Sequence, residues 1–388
     1  MRSIAALGDV TDMRCWSGIP YYFSKAASAA GFATIPWQLD LSKLRGPRLA
    51  WNLGRLLRGH RPGGFQYSAA FRRIAHKQIP RHYFATEVIT FHSHFPAADV
   101  VVEAGGRLNH YVDATFISLS SGKGLVPRLP PDVVERARQE ERANYAVSDR
   151  VIAMARWTAE SLVQDCGVNP AKVTTILPGA NFEVDDEIWL NRPRQRGRPG
   201  RDRDFVLGFI GMDWRRKGLP FLVGVRDELG RRGYKVLVLA MGTASNEIKQ
   251  HQGVRHVGVI DKQRETQQFL AFLTQCDVGC LFSSNEALGI STLEFLRAGV
   301  PVAGFAHQGL ADTIPPDAGF RFPLMATLSD VADAFDNYLS DVSRQERFCD
   351  NARKWSPLVT WERCLREVEE FWTTNAIVQP VLPGEGLR

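Results

Sequence analysis

From residue 205 onward the chain alternates between short apolar runs and amphipathic segments, and this alternation is the strongest constraint on its fold. DFVLGFIG, YKVLVLAMG, RHVGVI, DVGCLFS and VPVAGF are rich in Val, Leu and Ile and lack the in-out alternation of a half-exposed strand. Between them, Leu219–Leu229, Thr266–Cys276 and STLEFLRAG carry apolar residues at helical spacing. Strands apolar on both faces, separated by helices, require a parallel sheet covered on both sides. The first half reads in the same way. RSIAALGD, EVITFHSHF, HYVDATF, DRVIAMA and KVTTILPG are strands. One helix follows Gly18 and ends at Gly31, and another, TAESLVQDCG, ends at Gly167. The predicted fold is therefore α/β, with two doubly wound domains facing each other across a cleft. Their boundaries are 1–182 and 205–388, and a Pro- and Gly-rich linker spans 183–204. In such sheets ligands sit at the carboxyl ends of the strands.

Composition narrows the function. No stretch of about 18 apolar residues occurs, so no spanning helix is expected. The opening MRSIAALGDV reads as a first strand, not a signal peptide. Six cysteines without a CxxC pair read as reduced thiols of a cytoplasmic protein. The net charge of +6 suits phosphorylated ligands or an anionic surface. It is unevenly placed: Leu41–Thr86 holds ten Lys or Arg and no Asp or Glu. Within that stretch LAWNLGRLLRGHR reads as a basic amphipathic helix, with Arg55, Arg58 and Arg61 toward a membrane and Trp51 and the leucines on the other side. A solvated helix of the domain is the plain alternative. The second basic run, Arg192–Arg203, lacks apolar periodicity, and no DNA- or RNA-binding motif accompanies it, so no nucleic-acid partner is expected.

The chemistry gathers at strand ends. In SSNEALGISTLEFLRAGVPVAG, Glu286 and Glu294 flank the start of a helix, and Gly289 permits a tight turn. Amides from Leu288 through Ile290 to Thr292 at that helix N-terminus suit a phosphate. Glu286 could accept from sugar hydroxyls and Glu294 from a ribose diol. Ser291 and Glu294 also form a capping-box pattern, which would turn the glutamate back on the backbone. In GFIGMDWRRKG, the cations Arg215, Arg216 and Lys217 follow a strand, where a diphosphate leaving group could be neutralised; a solvated turn is the alternative. His92 and His94, as His-x-His on a strand, would point to one face and make a metal geometrically possible, but no further ligand cluster supports one; lining the cleft or filling the core is the plainer role.

Together these residues resemble the retaining glycosyltransferases of the GT-B fold, and family 4, or group 1, in particular. The resemblance rests on Glu286-x7-Glu294 with AGVPV after it, on Arg216-Lys217-Gly218, on the turn Ser17-Gly18-Ile19-Pro20, and on DRVIAMARWTAESL…KVTTILPGAN. It covers nearly the whole chain. It implies two Rossmann-like domains, the second binding a nucleoside-diphosphate sugar and the first a carbohydrate or lipid-linked acceptor. Glu294 would hold the ribose and Glu286 the donor sugar. Lys217 with Arg215 or Arg216 would meet the diphosphate, Gly18 would let amides approach it, and Val259 in RHVGVI would line the base site. No metal and no cofactor beyond the donor is implied. The family's catalytic-side histidine is matched in place by Asp113 of HYVDATF, with His92 and His94 nearby on the acceptor side. The resemblance implies a part in polysaccharide, lipopolysaccharide or glycolipid synthesis, peripheral to the inner face of a membrane. The last helix, about 358–373, is expected to cross back to the first domain, or else to fill the core of the second. A sugar-nucleotide epimerase, a phosphorylase or a catalytically silent nucleotide-sugar-binding protein would share the scaffold; a phosphorylase would need a lysine-bound pyridoxal site, for which no motif is seen.

Overall fold

The computed structural model describes residues 1–121, 129–184 and 197–374. The chain divides into two compact units. One is Met1–Pro178 with the segment that starts at Cys364, and the other is Gly179–Arg363. Each is built on a six-stranded sheet in which every strand pair is parallel. Among the described residues no helix is long and apolar enough to cross a membrane.

In the first unit the strands are β1 (Arg2–Ala5), β2 (Ile35–Pro36), β3 (Glu87–Thr90), β4 (Arg107–Val112), β5 (Val151–Ala153) and β6 (Val173–Thr175). Their order is β2-β1-β3-β4-β5-β6. The chain leaves β1 toward one edge, then returns to the other side of β1. The switch point is therefore between β1 and β3, where doubly wound sheets open a crevice. Helix α1 (Ile19–Ala29) starts from Gly18, whose φ of 88° is open to glycine and strained for other residues. Its Ile19, Tyr22, Phe23 and Ala27 recur at helical spacing and are buried.

Helix α2 (Arg45–Leu57) departs from the reading of the sequence. Arg55 does not face outward. It is buried, and its guanidinium grips both oxygens of Asp132 at 2.9 and 3.0 Å and donates to the Arg61 carbonyl. Trp51 packs inward near Phe65, its indole donating to the Gly63 carbonyl. Leu49, Leu53, Leu56 and Leu57 are exposed instead.

The second unit has β7 (Phe205–Gly211), β8 (Val236–Gly242), β9 (Val254–Gly258), β10 (Val278–Leu281), β11 (Val302–Phe305) and β12 (Gly319–Phe322), in the order β12-β11-β10-β7-β8-β9. Its switch point is between β7 and β10. One core fills the sheet faces, with Phe205, Leu207, Phe209, Val238, Val278 and Phe335 fully or almost fully buried. Strand β12 and the helices Leu328–Ser340 and Val342–Trp355 complete this unit and were not marked by the sequence pattern. Of the expected linker 183–204, residues 185–196 lie outside the described residues. Its described end is tied into the second unit, because Arg203 pairs with Asp277.

The helix Trp361–Thr374 is shared between the units. Trp361 donates to Asn181 in the second. From Cys364 onward the helix packs on the first: Cys364 meets the Tyr111 hydroxyl, Trp372 donates to Glu87, and the Trp372 ring stands edge-on to Phe32.

Burial of histidines sets an acid limit on the first unit. Desolvation pushes His94 and His76 down to about 4 and His110 to about 3, and His92 well below its ordinary value. The folded state keeps these rings neutral while the unfolded chain protonates near pH 6.5. Their contribution is therefore complete above about 6.5 and is lost as pH falls toward 4. Buried Glu141, pushed up to about 7 by desolvation, acts with the opposite sign between about 4.5 and 7, but it is one group against four. Melting temperature should fall steeply from pH 7 to 5, and His94→Gln should flatten the profile. A flat wild-type profile would contradict this account.

Candidate functional site

The residues singled out around Glu286 and Lys217 meet at the carboxyl ends of β7 and β10, at the switch point of the second sheet. After β7 the chain turns through Asp213–Lys217 to Gly218, which caps the helix Leu219–Arg231 with φ 80°. A side chain there would place its Cβ 2.1 Å from the Phe282 carbonyl oxygen. Gly218 thus lets this turn lie directly on the end of β10. Gly218→Ala should cost at least about 2 kcal/mol of stability in denaturant unfolding. Gly233, at φ 90° with open space around its Cβ, is the control and should lose less when changed to Ala.

The turn holds Arg216 against the opposite loop. Its Nη1 donates to Glu286 Oε2 at 3.0 Å and to the Asn285 carbonyl, while its Nε donates to Asp213 at 3.0 Å. Lys217 Nζ is 3.9 Å from the same Glu286 oxygen, and Gly211 leaves room for its stem at the end of β7. Both side chains are mostly buried. Arg215 is exposed and lies over the Trp214 ring. The turn and the Glu286 loop together carry three cations, Arg215, Arg216 and Lys217, and two carboxylates, Asp213 and Glu286, an excess of positive charge.

Gln308 and His307, which follow β11, went unmarked in the sequence. Gln308 accepts from the Glu286 amide at 2.8 Å, and His307 Nε2 donates to the Ser283 carbonyl at 2.8 Å. They fix the loop that carries Glu286, and no motif in a single sequence marks such a contact between strands.

The helix Ile290–Arg297 decides the alternatives left open for Glu294. Its N-cap is Gly289, at φ 86°. Ser291 therefore lies inside the helix, and the Ser291–Glu294 capping box does not form. The Thr292 amide is also taken, bonded to the Gly289 carbonyl. Glu294 is fully buried. Its Oε1 accepts from Lys262, and its Oε2 has no hydrogen-bond partner among the described residues. Buried carboxylate oxygens without a donor are rare, which sets this one apart from the other buried polar groups around the site. Lys262, also against the Phe269 ring, was missed in the sequence because it lies 32 positions from Glu294. It sits three residues beyond Val259, which is exposed in the loop after β9. Leu288 is buried, and its carbonyl accepts from Thr313.

In the first unit, Gly18 and His92 come to the β1–β3 switch point. Trp16 and Ser17 precede Gly18 in left-handed backbone, and the Trp16 ring meets the His92 ring edge-on at 5.5 Å. The His-x-His reading is corrected. Strand β3 ends at Thr90, and both histidines lie in the turn beyond it. His94 is spent on structure: its Nε2 donates to the Ala137 carbonyl at 2.8 Å, so Nδ1 accepts from Ser93. Among the described residues no group of three or more His, Cys, Asp or Glu could hold a metal ion. Asp113 follows β4, where its carbonyl accepts from Thr158.

Residues 191–355 match the family model described as Glycosyl transferases group 1. A D-inositol 3-phosphate glycosyltransferase of Stackebrandtia nassauensis is 27% identical over 293 residues, 70% of this chain. The match spans 64% of that relative, just under two thirds of its length. Among solved structures, sucrose-phosphate synthase from Thermosynechococcus elongatus superposes with a TM-score of 0.66 at 17% identity, over 96% of this chain and 97% of the other. The Anabaena protein HepE, solved in complex with UDP and glucose, gives 0.63 at 12% identity, over 96% and 99%. The two-sheet α/β architecture is therefore that of GT-B proteins, and the second unit carries the similarity to group 1 glycosyl transferases.

Proposed function

We propose that this protein is a retaining glycosyltransferase that moves a hexosyl group from a nucleoside-diphosphate sugar to an acceptor hydroxyl. The observation that carries the reading is the convergence of Arg216, Lys217 and Glu286 at the switch point of the second sheet. Without a donor, the two cations are held by Glu286. An arriving diphosphate competes for them, and Glu286 is then released to accept from the sugar's hydroxyls. Glu294 Oε2 takes a hydroxyl of the ribose, consistent with its orphaned state. As the bond from the anomeric carbon to the phosphate oxygen breaks, the electron pair leaves with the diphosphate. Lys217 and Arg216 stabilise that developing charge, which lets the reaction proceed without a metal. The acceptor oxygen bonds the same face of the anomeric carbon, and its proton passes to the departing phosphate. The first unit supplies the acceptor side through His92 and Asp113. The acceptor is carbohydrate or lipid-linked, in polysaccharide, lipopolysaccharide or glycolipid synthesis, met at the inner face of a membrane.

The test is donor turnover. The purified protein is incubated with UDP-, GDP- and ADP-sugars, with a chelator present, and nucleoside diphosphate release and product anomer are followed by NMR. One donor should turn over, with an acceptor, to an α-linked product from an α-linked donor. Inversion would refute same-face attack. An epimerised free donor would favour the epimerase, and binding without turnover over a broad acceptor panel would favour a silent binding protein.

A further inference from the structure

Helix α2 is built inside out. The helices of a globular domain turn their apolar stripe to the core. Here Leu49, Leu53, Leu56 and Leu57, at i, i+4, i+7 and i+8, fall within an arc of about 100°, and they are 56–80% exposed. The opposite face, with Leu44, Trp51 and Arg55, is the one that meets the domain. Arg55 explains the inversion. Its bidentate pair with Asp132 and its bond to the Arg61 carbonyl fix which side of the helix faces in. A contiguous row of four exposed leucines on one helix marks a surface that meets something apolar.

The charges around the row say what that is. Lys43, Arg45, Arg48, Arg58 and Arg61, on the helix or just beyond its ends, are all exposed. Asp40 lies 4.0 Å from Lys43, at the start of the segment, and Asp132 is bound to Arg55 on the inward side. An apolar row on a helix that carries exposed cations along it and at both ends complements a surface that is oily inside and anionic outside. We propose that α2 is an interfacial docking helix that inserts its leucines into an anionic lipid bilayer, with the five cations at the headgroups. The docking mode differs from the one drawn from the sequence. The leucines enter the membrane, Arg58 and Arg61 follow the helix end, and Arg55 plays no direct part. This deepens the glycosyltransferase reading and rests on it for one point only: a transferase docked here meets a lipid-linked acceptor.

The test is cosedimentation with vesicles of phosphatidylcholine alone and of phosphatidylcholine mixed with phosphatidylglycerol. Wild type should bind the anionic vesicles at low salt. Binding should weaken but persist at about 1 M salt, where the Debye length is about 3 Å, because inserted leucines are not screened. Leu53→Ser with Leu56→Ser should lower partitioning at least about tenfold and leave melting temperature unchanged or raised, since these side chains face solvent in the free protein. Arg45→Glu with Arg48→Glu should abolish the preference for anionic lipid. Negligible binding to both vesicle types overturns the proposal. So does leucine-variant binding equal to wild type. A dimer that the leucine variants convert to monomer, without vesicle binding, would instead assign the row to a second copy of this chain. Donor turnover, measured on the same samples, keeps the two readings separate: vesicle binding without turnover of any nucleotide sugar would remove the enzyme reading and leave the docking helix standing.

Discussion

Lys217→Ala should lower turnover at saturating donor by about 10²–10³-fold, the usual loss when one group aimed at developing charge is removed. Stability should change less than the rate, because the ammonium's ion pair among the described residues is long, 3.9 Å to Glu286. Its two neighbours should behave differently. Arg216 ties the turn to Asp213, Asn285 and Glu286, so Arg216→Ala should raise KM and lower melting temperature together with the rate. Arg215 is exposed on Trp214 and should matter least. A near-wild-type rate for Lys217→Ala at saturating donor would remove the lysine from the chemistry. An Arg216→Ala variant that loses rate alone would place the main electrostatic role on the arginine.

The second large effect is expected at Glu294 and Lys262. Glu294→Ala should weaken nucleotide-sugar binding by about 1–3 kcal/mol, read by calorimetry, since a desolvated hydroxyl would lose its acceptor. No helix cap is lost, because Gly289 and not Ser291 begins the helix. Lys262→Met should act first on folding. It would leave a fully buried carboxylate with neither oxygen paired, and breaking such a pair costs about 3–5 kcal/mol. The double variant Lys262→Met with Glu294→Gln should recover most of that stability while keeping the affinity loss. If Glu294→Ala loses melting temperature alone and keeps its donor affinity, the buried pair is structural and the ribose lies elsewhere.

Much of the architecture is legible in the linear pattern. Parallel strands buried on both faces must be apolar throughout, so 205–211, 236–242, 278–281 and 302–305 declare themselves. Glycines at strand-to-helix turns do so too: Gly18, Gly218 and Gly289 all adopt the positive φ that a tight turn needs. These features are local, and local sterics fix them wherever the segment ends up. The pairing of Glu286 with the RRK turn was foreseeable for the same reason, since both follow strands and strand ends gather on one edge of a parallel sheet.

What the sequence left open are choices between partners far apart in the chain. Ser291-x-x-Glu294 fits a cap and a ligand site equally well; the left-handed Gly289 starts the helix early enough to exclude the first, and Lys262 occupies the glutamate instead. His-x-His looks like one face of a strand, but β3 stops at Thr90, and the Ala137 carbonyl claims His94. The clearest case is α2. Periodicity shows that Leu49, Leu53, Leu56 and Leu57 share a side, but not which side faces the domain. Asp132, 77 residues from Arg55, decides it, because a buried bidentate ion pair fixes the rotation of the helix. Sequence determined that this protein has two parallel sheets and where their loops converge. Tertiary structure alone decided which of the distant charges pair with one another and which stay exposed.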